Sequence, residues 1–224
     1  MPSIQIPFSG RPEHLSFQKD APGAIHFWDI TENEQQLSSL LAYDRASVNE
    51  ACRHFRSAAR RKEWMAVRLL LAAAAGSSVR LEHTPAGCPF LSDGSRHVSI
   101  SHTGDYVVLA LAETGRIGVD LERRTPRAFR LRKKFLAPDE EETILWKDAA
   151  VSDYTALSVE DRAVLLWSAK EAAYKKIAPA GGATLLQDIR LSMGDGCFVA
   201  SCKGGQTAAV RFYVADTLVL TVCQ

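Results

Sequence analysis

A chain of 224 residues, 46% hydrophobic and 24% charged, can bury one sizeable core or two small ones. Its formal net charge of +1 excludes a global field for a polyanion, so any basic patch has to be local. The longest apolar run, Leu69–Ala75, falls far short of the roughly 20 residues that a membrane-spanning helix needs.

The N-terminus, MPSIQIPFSGRPEH, has no basic segment leading into an apolar stretch, so no secretory signal is expected. The five cysteines, Cys52, Cys88, Cys197, Cys202 and Cys223, form no C-x-x-C pair. This argues against a disulfide framework or a structural zinc site and for the reducing cytoplasm.

Ala24–Ile30 (AIHFWDI) reads as a short strand. Thr31 follows it, with Glu34 three residues later, the spacing of a capping box; a helix over Thr31–Ala42 is the expectation. A second, arginine-rich helical stretch covers Ser47–Ala75, with a break near Ser57. Trp64, Val67, Leu70 and Leu71 recur in it at helical spacing, and Gly76 stands where a C-cap would. His97–Ser101 and Tyr106–Ala112 flank Thr103–Asp105 (TGD) and read as a hairpin. Ile117–Glu122 (IGVDLE) is the next strand, with Ile117, Val119 and Leu121 on one face and Asp120 and Glu122 on the other.

The second half predicts helices over Arg127–Phe135, Asp139–Trp146 and Val159–Ile177, the last stopped by Pro179–Gly182 (PAGG). Short strands close the chain near Ile189–Ser192, Cys197–Cys202, Val210–Val214 and Thr217–Val222. No repeat of fixed period is seen. Each half nevertheless has helices plus an antiparallel sheet, which gives an α+β class with two lobes meeting in the middle; the division falls at residues 1–114 and 115–224.

Three stretches carry chemistry. Asp120 and Glu122, two residues apart on a strand, point the same way with Cα atoms about 6.5–7 Å apart. They are either two solvated acids on an exposed face or a pair converging on a cation, and oxygen-only ligands suit Mg²⁺. Trp167, Glu171 and Lys175 stand at i, i+4 and i+8 on one side of a helix. The Glu171–Lys175 pair is either an ordinary surface contact or a metal ligand beside a phosphate-binding cation. His102, in Ser99–Thr103 (SISHT), is a structural histidine or a ligand contact.

Together these stretches resemble the Sfp-type 4′-phosphopantetheinyl transferase family. Gly87-Cys88-Pro89 with Ser99-Ile100-Ser101-His102-Thr103 is similar to the family's G-K-P and N-I-S-H-S region. Gly118-Val119-Asp120-Leu121-Glu122 matches G-I/V-D-I/L-E, and Trp167, Ser168, Lys170, Glu171, Ala172 and Lys175 match W-S/A-x-K-E-S/A-x-x-K. Between them, Lys134-Phe135-Leu136-Ala137 with Glu140 resembles K/R-F-F/L-S-x-x-E. The likeness runs from Cys52 to Lys176.

The resemblance implies a pseudo-dimer of two α+β lobes, the C-terminal one carrying the metal site, with coenzyme A in the cleft between them. It also implies Mg²⁺-dependent transfer of 4′-phosphopantetheine to a serine of an apo acyl or peptidyl carrier protein by a cytoplasmic monomer that needs no nucleic acid or membrane. Carried over, Asp120, Glu122 and Glu171 become the Mg²⁺ ligands, and Glu171 also the base for the carrier serine. His102 binds a coenzyme A phosphate, Lys175 a diphosphate oxygen, Ser101 the nucleotide end, and Arg53 the 3′-phosphate region.

Cys88 replaces the lysine of G-K-P, which removes a cation near the nucleotide phosphates; His83 or an arginine is the expected substitute. Arg123–Lys134 (RRTPRAFRLRKK) concentrates seven basic residues and reads as a solvated face or as a docking site for an acidic helix. Two other functions use the same inventory: a metal-dependent nuclease, which a plasmid-nicking assay would reveal, and a coenzyme A- or carrier-binding relative without turnover, which would bind without transfer.

Overall fold

The structure is a computed structural model that describes residues 24–146, 152–177, 186–202 and 205–224. The expected stop at residues 179–182 lies outside them. Helices and antiparallel sheets share the chain, as the α+β class requires. Among the described residues no helix is long and apolar enough to cross a membrane.

In the first half, β1 (Ala24–Asp29) leads to helices α1 (Glu34–Leu40), α2 (Arg45–His54) and α3 (Ala58–Ala75). Two short strands not foreseen from sequence, β2 (Leu81–His83) and β3 (Pro89–Leu91), pair with each other. Then β4 (His97–Thr103) and β5 (Tyr106–Ala112) complete a three-stranded antiparallel sheet in the order β1-β5-β4. The capping box is displaced from its expected place. Asn33 caps α1, accepting Gln36 N–H at 3.0 Å, while Gln36 Oε1 accepts Asn33 N–H at 2.8 Å. An asparagine caps at least as well as a threonine, so the helix starts two residues later than expected. The long helical stretch is interrupted after His54 and resumes at Ala58. The hairpin turn is Gly104-Asp105, with Gly104 at φ 58°, a left-handed conformation that glycine adopts without cost.

In the second half, β6 (Gly118–Arg123) is followed by α4 (Arg127–Leu131), which passes into a 3₁₀ turn at Arg132–Lys134. Helix α5 (Pro138–Glu140) runs into a π-helical turn at Glu141–Leu145; α6 (Ser152–Thr155) and the long α7 (Val159–Ile177) follow. Strands β7 (Arg190–Met193), β8 (Phe198–Ser201), β9 (Thr207–Val214) and β10 (Leu218–Cys223) join β6 in a five-stranded antiparallel sheet, order β6-β10-β9-β8-β7. Ser158 Oγ accepts the Asp161 N–H at 3.1 Å at the start of α7. Glu160 and Asp161 sit in its first turn and Lys175 and Lys176 in its last, so both ends complement the helix dipole.

Strand β5 shows how the halves join. Val107, Leu109 and Leu111 pack toward α3, while Val108, Ala110 and Ala112 pack against Val119 and Leu121 of β6 and Leu220 and Val222 of β10. A strand buried on both faces reads as a continuous apolar run, which is why YVVLALA shows no alternation. A third cluster lies under α7, where Phe135, Leu165 and Leu166 are fully buried, each contributing about 1.5–3 kcal/mol of transfer energy. The two sheets therefore meet face to face through an apolar layer, each with helices on its far side. Of the two readings of the Asp120 face of β6, the solvated surface does not hold. Asp120 is 4% exposed, because α7 covers that side of the strand.

Candidate active site

Gly118 sets the spacing of β6 and α7. A Cβ placed on it would lie 1.9 Å from the Ala172 carbonyl oxygen, so strand and helix backbones touch there and only glycine fits. This close approach brings the side chains of β6 onto the turn of α7 that carries Glu171 and Lys175.

Lys175 Nζ donates to Asp120 Oδ1 at 2.8 Å and to the Val119 carbonyl at 2.8 Å. Ser101 Oγ, from β4 of the other sheet, donates to the same Asp120 oxygen at 2.9 Å and accepts the Leu121 N–H at 3.2 Å. Ser99 Oγ accepts the Val119 N–H at 3.0 Å. The two serines thus fasten the sheets together directly above the acids. Ser101, expected at the nucleotide end, is buried, and its hydroxyl is committed to Asp120 and the β6 backbone. At the far end of the strand, Trp167 Nε1 donates to Glu122 Oε1 at 3.0 Å.

The acids act on one another. Burial pushes Glu122 up to about 7; Asp120 and Glu171 add to the rise, and the Trp167 N–H and Lys175 oppose it. Burial also raises Glu171, again with Asp120 adding and Lys175 opposing. Asp120 Oδ2 is buried and accepts no hydrogen bond among the described residues. Carboxylates that repel each other, with one orphaned oxygen, form a field that an added cation would relieve. The donors are all oxygen, the set a hard divalent cation takes, and such an ion usually keeps several waters and shares substrate phosphates. Among the described residues no three His, Cys, Asp or Glu side chains form a ready metal cage. The residues fit such a cation in chemistry, as an open set of donors.

Beside the acids lies a cleft of about 1010 Å³. Among the described residues its wall carries Arg60, Arg68, His83, Arg96, Arg116 and Lys175, against a single acid, Glu63. Phe55, Trp64, Val67, Leu81 and Phe90 supply apolar surface. Arg68 is held over the Trp64 ring at 3.4 Å, and burial lowers its pKa to about 10. His102 lines the cleft; Asp120, Glu122 and Glu171 do not, so Lys175 stands at the boundary between the acids and the cavity. Cys88 lies on the wall with His83 and Arg96. Arg53 is exposed in the last turn of α2 and is not part of the wall.

The structure therefore joins Lys175 to Asp120, leaves Glu122 and Glu171 within reach of that charge, places His102 in the cleft, and leaves Arg53 aside. Arg60, Glu63, Arg68 and Arg116 were not singled out from sequence, although the Arg60-Arg61-Lys62-Glu63 run at the start of α3 was a usable signal. Lys170 was noted only as part of a motif. It is fully buried, donating to the Phe135 carbonyl and to Glu140 Oε2, both at 2.7 Å.

Residues 116–223 match the family model described as the 4′-phosphopantetheinyl transferase superfamily. That span contains Asp120, Glu122, Glu171 and Lys175; His102 and most of the cleft wall precede it. A curated protein of Synechocystis named "Putative 4′-phosphopantetheinyl transferase" is 33% identical over 122 residues, which cover 50% of this chain and 46% of the relative. The chain spans about half the length of the curated relative it matches.

Proposed function

We propose, from the premise that residues 116–223 belong to the 4′-phosphopantetheinyl transferase superfamily, that this protein transfers 4′-phosphopantetheine from coenzyme A to a serine of an apo acyl or peptidyl carrier protein, as an Sfp-type enzyme. One observation carries the reading: Lys175 of α7 reaches Asp120 of β6, whose charge also raises the proton affinity of Glu122 and Glu171, beside a cationic cleft that suits a polyanion with an aromatic base.

In the proposed reaction the serine oxygen bonds to the β-phosphorus, and the bond from that phosphorus to the oxygen of adenosine 3′,5′-bisphosphate breaks. The serine proton passes to a carboxylate. Glu171 is the proposed acceptor, since burial and Asp120 raise its proton affinity. Lys175, fixed by Asp120 and Val119, places one positive charge at the cleft edge, where it can neutralise a diphosphate oxygen. Asp120, Glu122 and Glu171 would hold Mg²⁺, which supplies charge neutralisation on the diphosphate when bound. Ser101 keeps Asp120 oriented, and the Trp167 N–H holds Glu122 by one carboxylate oxygen. His102 and the wall cations are the proposed partners of the remaining coenzyme A phosphate, with His83 and Arg96 beside Cys88 where the family has lysine.

Charge also suggests where the carrier docks. Of the seven basic residues in Arg123–Lys134, Arg124 and Arg132 are tied to Asp161 and Glu141. Arg127, Arg130, Lys133 and Lys134 are exposed, and an acidic carrier helix is their proposed partner.

The deciding experiment incubates the protein with coenzyme A, Mg²⁺ and a panel of apo carriers. A carrier that gains the mass of one phosphopantetheine group supports the reading. Coenzyme A binding without any such gain across the panel favours the non-catalytic alternative, and plasmid nicking favours a nuclease.

A further inference from the structure

His102 meets α3 at the rim of the cleft. Its Nδ1 lies 3.5 Å from Glu63 Oε1 and its Nε2 lies 3.4 Å from an Arg60 guanidinium nitrogen, while Arg60 and Glu63 pair at 3.1 Å. All three line the cleft. Arg60 and Glu63 are three residues apart on a helix and so face His102 from the same side. The arrangement is graded: the Glu63 side chain is 17% exposed, that of His102 34% and that of Arg60 61%. The acid stands at the back, the guanidinium at the front. An unpaired carboxylate on the wall of an anion-binding cleft would repel the ligand; this one faces two cation-forming neighbours.

We infer that Glu63 is a positioning residue that holds His102 and Arg60 as one two-pronged fork for a phosphate, and that its charge lets the imidazole take up a proton when that phosphate arrives. The inference rests on the coenzyme A reading of the cleft. In the neutral tautomer that carries its hydrogen on Nδ1, beside Glu63, Nε2 is an acceptor, which suits the Arg60 N–H and offers nothing to an anion. A proton taken from solvent turns Nε2 into a donor. Arg60 and His102 can then both donate to the incoming phosphate, with Glu63 stabilising the imidazolium from behind.

The groups facing the ring support this. Burial holds the His102 pKa below its ordinary value; Glu63 opposes that, Arg60 and Lys175 reinforce it, and Asp120 opposes it. Burial therefore favours the neutral ring until the ligand adds its own negative charge.

Calorimetry with coenzyme A as the probe, in two buffers of different ionisation enthalpy, tests the inference. The parent protein should take up part of a proton on binding, with affinity falling as pH rises through about 7. Glu63→Gln keeps the shape and an acceptor for Nδ1–H but removes the charge. It should abolish the uptake and weaken binding about tenfold or more near neutral pH, the effect of one lost charge-assisted contact. In a His102→Gln background the same substitution should change affinity less than about twofold. Glu63→Asp should restore part of the uptake. Additive losses, or unchanged uptake in Glu63→Gln, overturn the inference while leaving coenzyme A binding, and with it the donor reading, intact. A parent protein that binds no coenzyme A defeats both together.

Discussion

The Lys170 ammonium and the Glu140 carboxylate meet 2.7 Å apart in the core, with 0% and 2% of their side chains exposed. The Phe135 carbonyl takes a second Lys170 hydrogen, and Glu140 also accepts the N–H groups of Ala137 and Leu191. The pair thus ties α7, α5 and β7 together immediately beside Glu171. Desolvation lowers the Lys170 pKa, and the Glu140 hydrogen bond opposes that. Lys170→Met strands a buried carboxylate and should cost about 3–5 kcal/mol, measured by chemical denaturation. A loss below about 1 kcal/mol would show that the carboxylate finds water or a proton instead of staying stranded.

Lys175 joins the acids to the cleft. Lys175→Ala should lower kcat for carrier modification about a hundredfold or more, the scale expected for a lost preorganised charge, with little change in carrier KM. Asp120→Asn should lose transfer more completely, because it removes a proposed metal ligand and frees Lys175. Full turnover by Asp120→Asn in a mass-shift assay would remove Asp120 from the reaction.

Gly118 marks the point where β6 rests on α7. Gly118→Ala forces a Cβ into the Ala172 carbonyl, so the strand must move away from Glu171 and Lys175. The expected loss is about 1–3 kcal/mol of stability, the usual range for overpacking, together with impaired transfer. A Gly118→Ala variant with parent stability and activity would mean that the sheet shifts freely.

Asp161 supplies an acid-labile contact. The Arg124 hydrogen bond holds its pKa below the usual carboxylate range, with Ser158 adding; Arg124 also donates to the Ala215 and Asp216 carbonyls at the β9–β10 turn. A depressed folded pKa contributes stability that is present above the unfolded value of about 3.9 and is lost as pH falls through the lower folded value. Asp161→Asn should therefore destabilise at neutral pH and flatten the pH dependence of unfolding below about 4. Parallel parent and variant curves through that window would rule the contact out as an acid-sensitive element.

Arg127 and Arg130 are exposed on α4. Reversing both to Glu should raise KM for an acidic carrier and weaken its salt dependence while kcat stays near the parent value, because steering acts on encounter. Transfer rates indifferent to both salt and the reversal would place docking elsewhere.

Local patterns were legible in the chain itself. Alternation placed Asp120 and Glu122 on one side of a strand, helical spacing aligned Trp167, Glu171 and Lys175, and α7 runs over Val159–Ile177 as expected. These relations hold over a few residues, where backbone geometry alone sets which side chains share a face. Even so, the cap expected at Thr31 gave way to Asn33, two residues on, and only the folded helix decided that.

What the linear order could not determine is which faces meet. Burial of Asp120, Ser101 turning from the cleft to Asp120, the Glu63–His102 contact and the Lys170–Glu140 pair all join elements far apart in the chain. They follow from two sheets packing through an apolar layer and from a glycine that lets α7 settle onto β6. Side-chain chemistry is written residue by residue, but whether a carboxylate is solvated or a repelled neighbour of two others depends on the dielectric and the charges that distant segments bring to it.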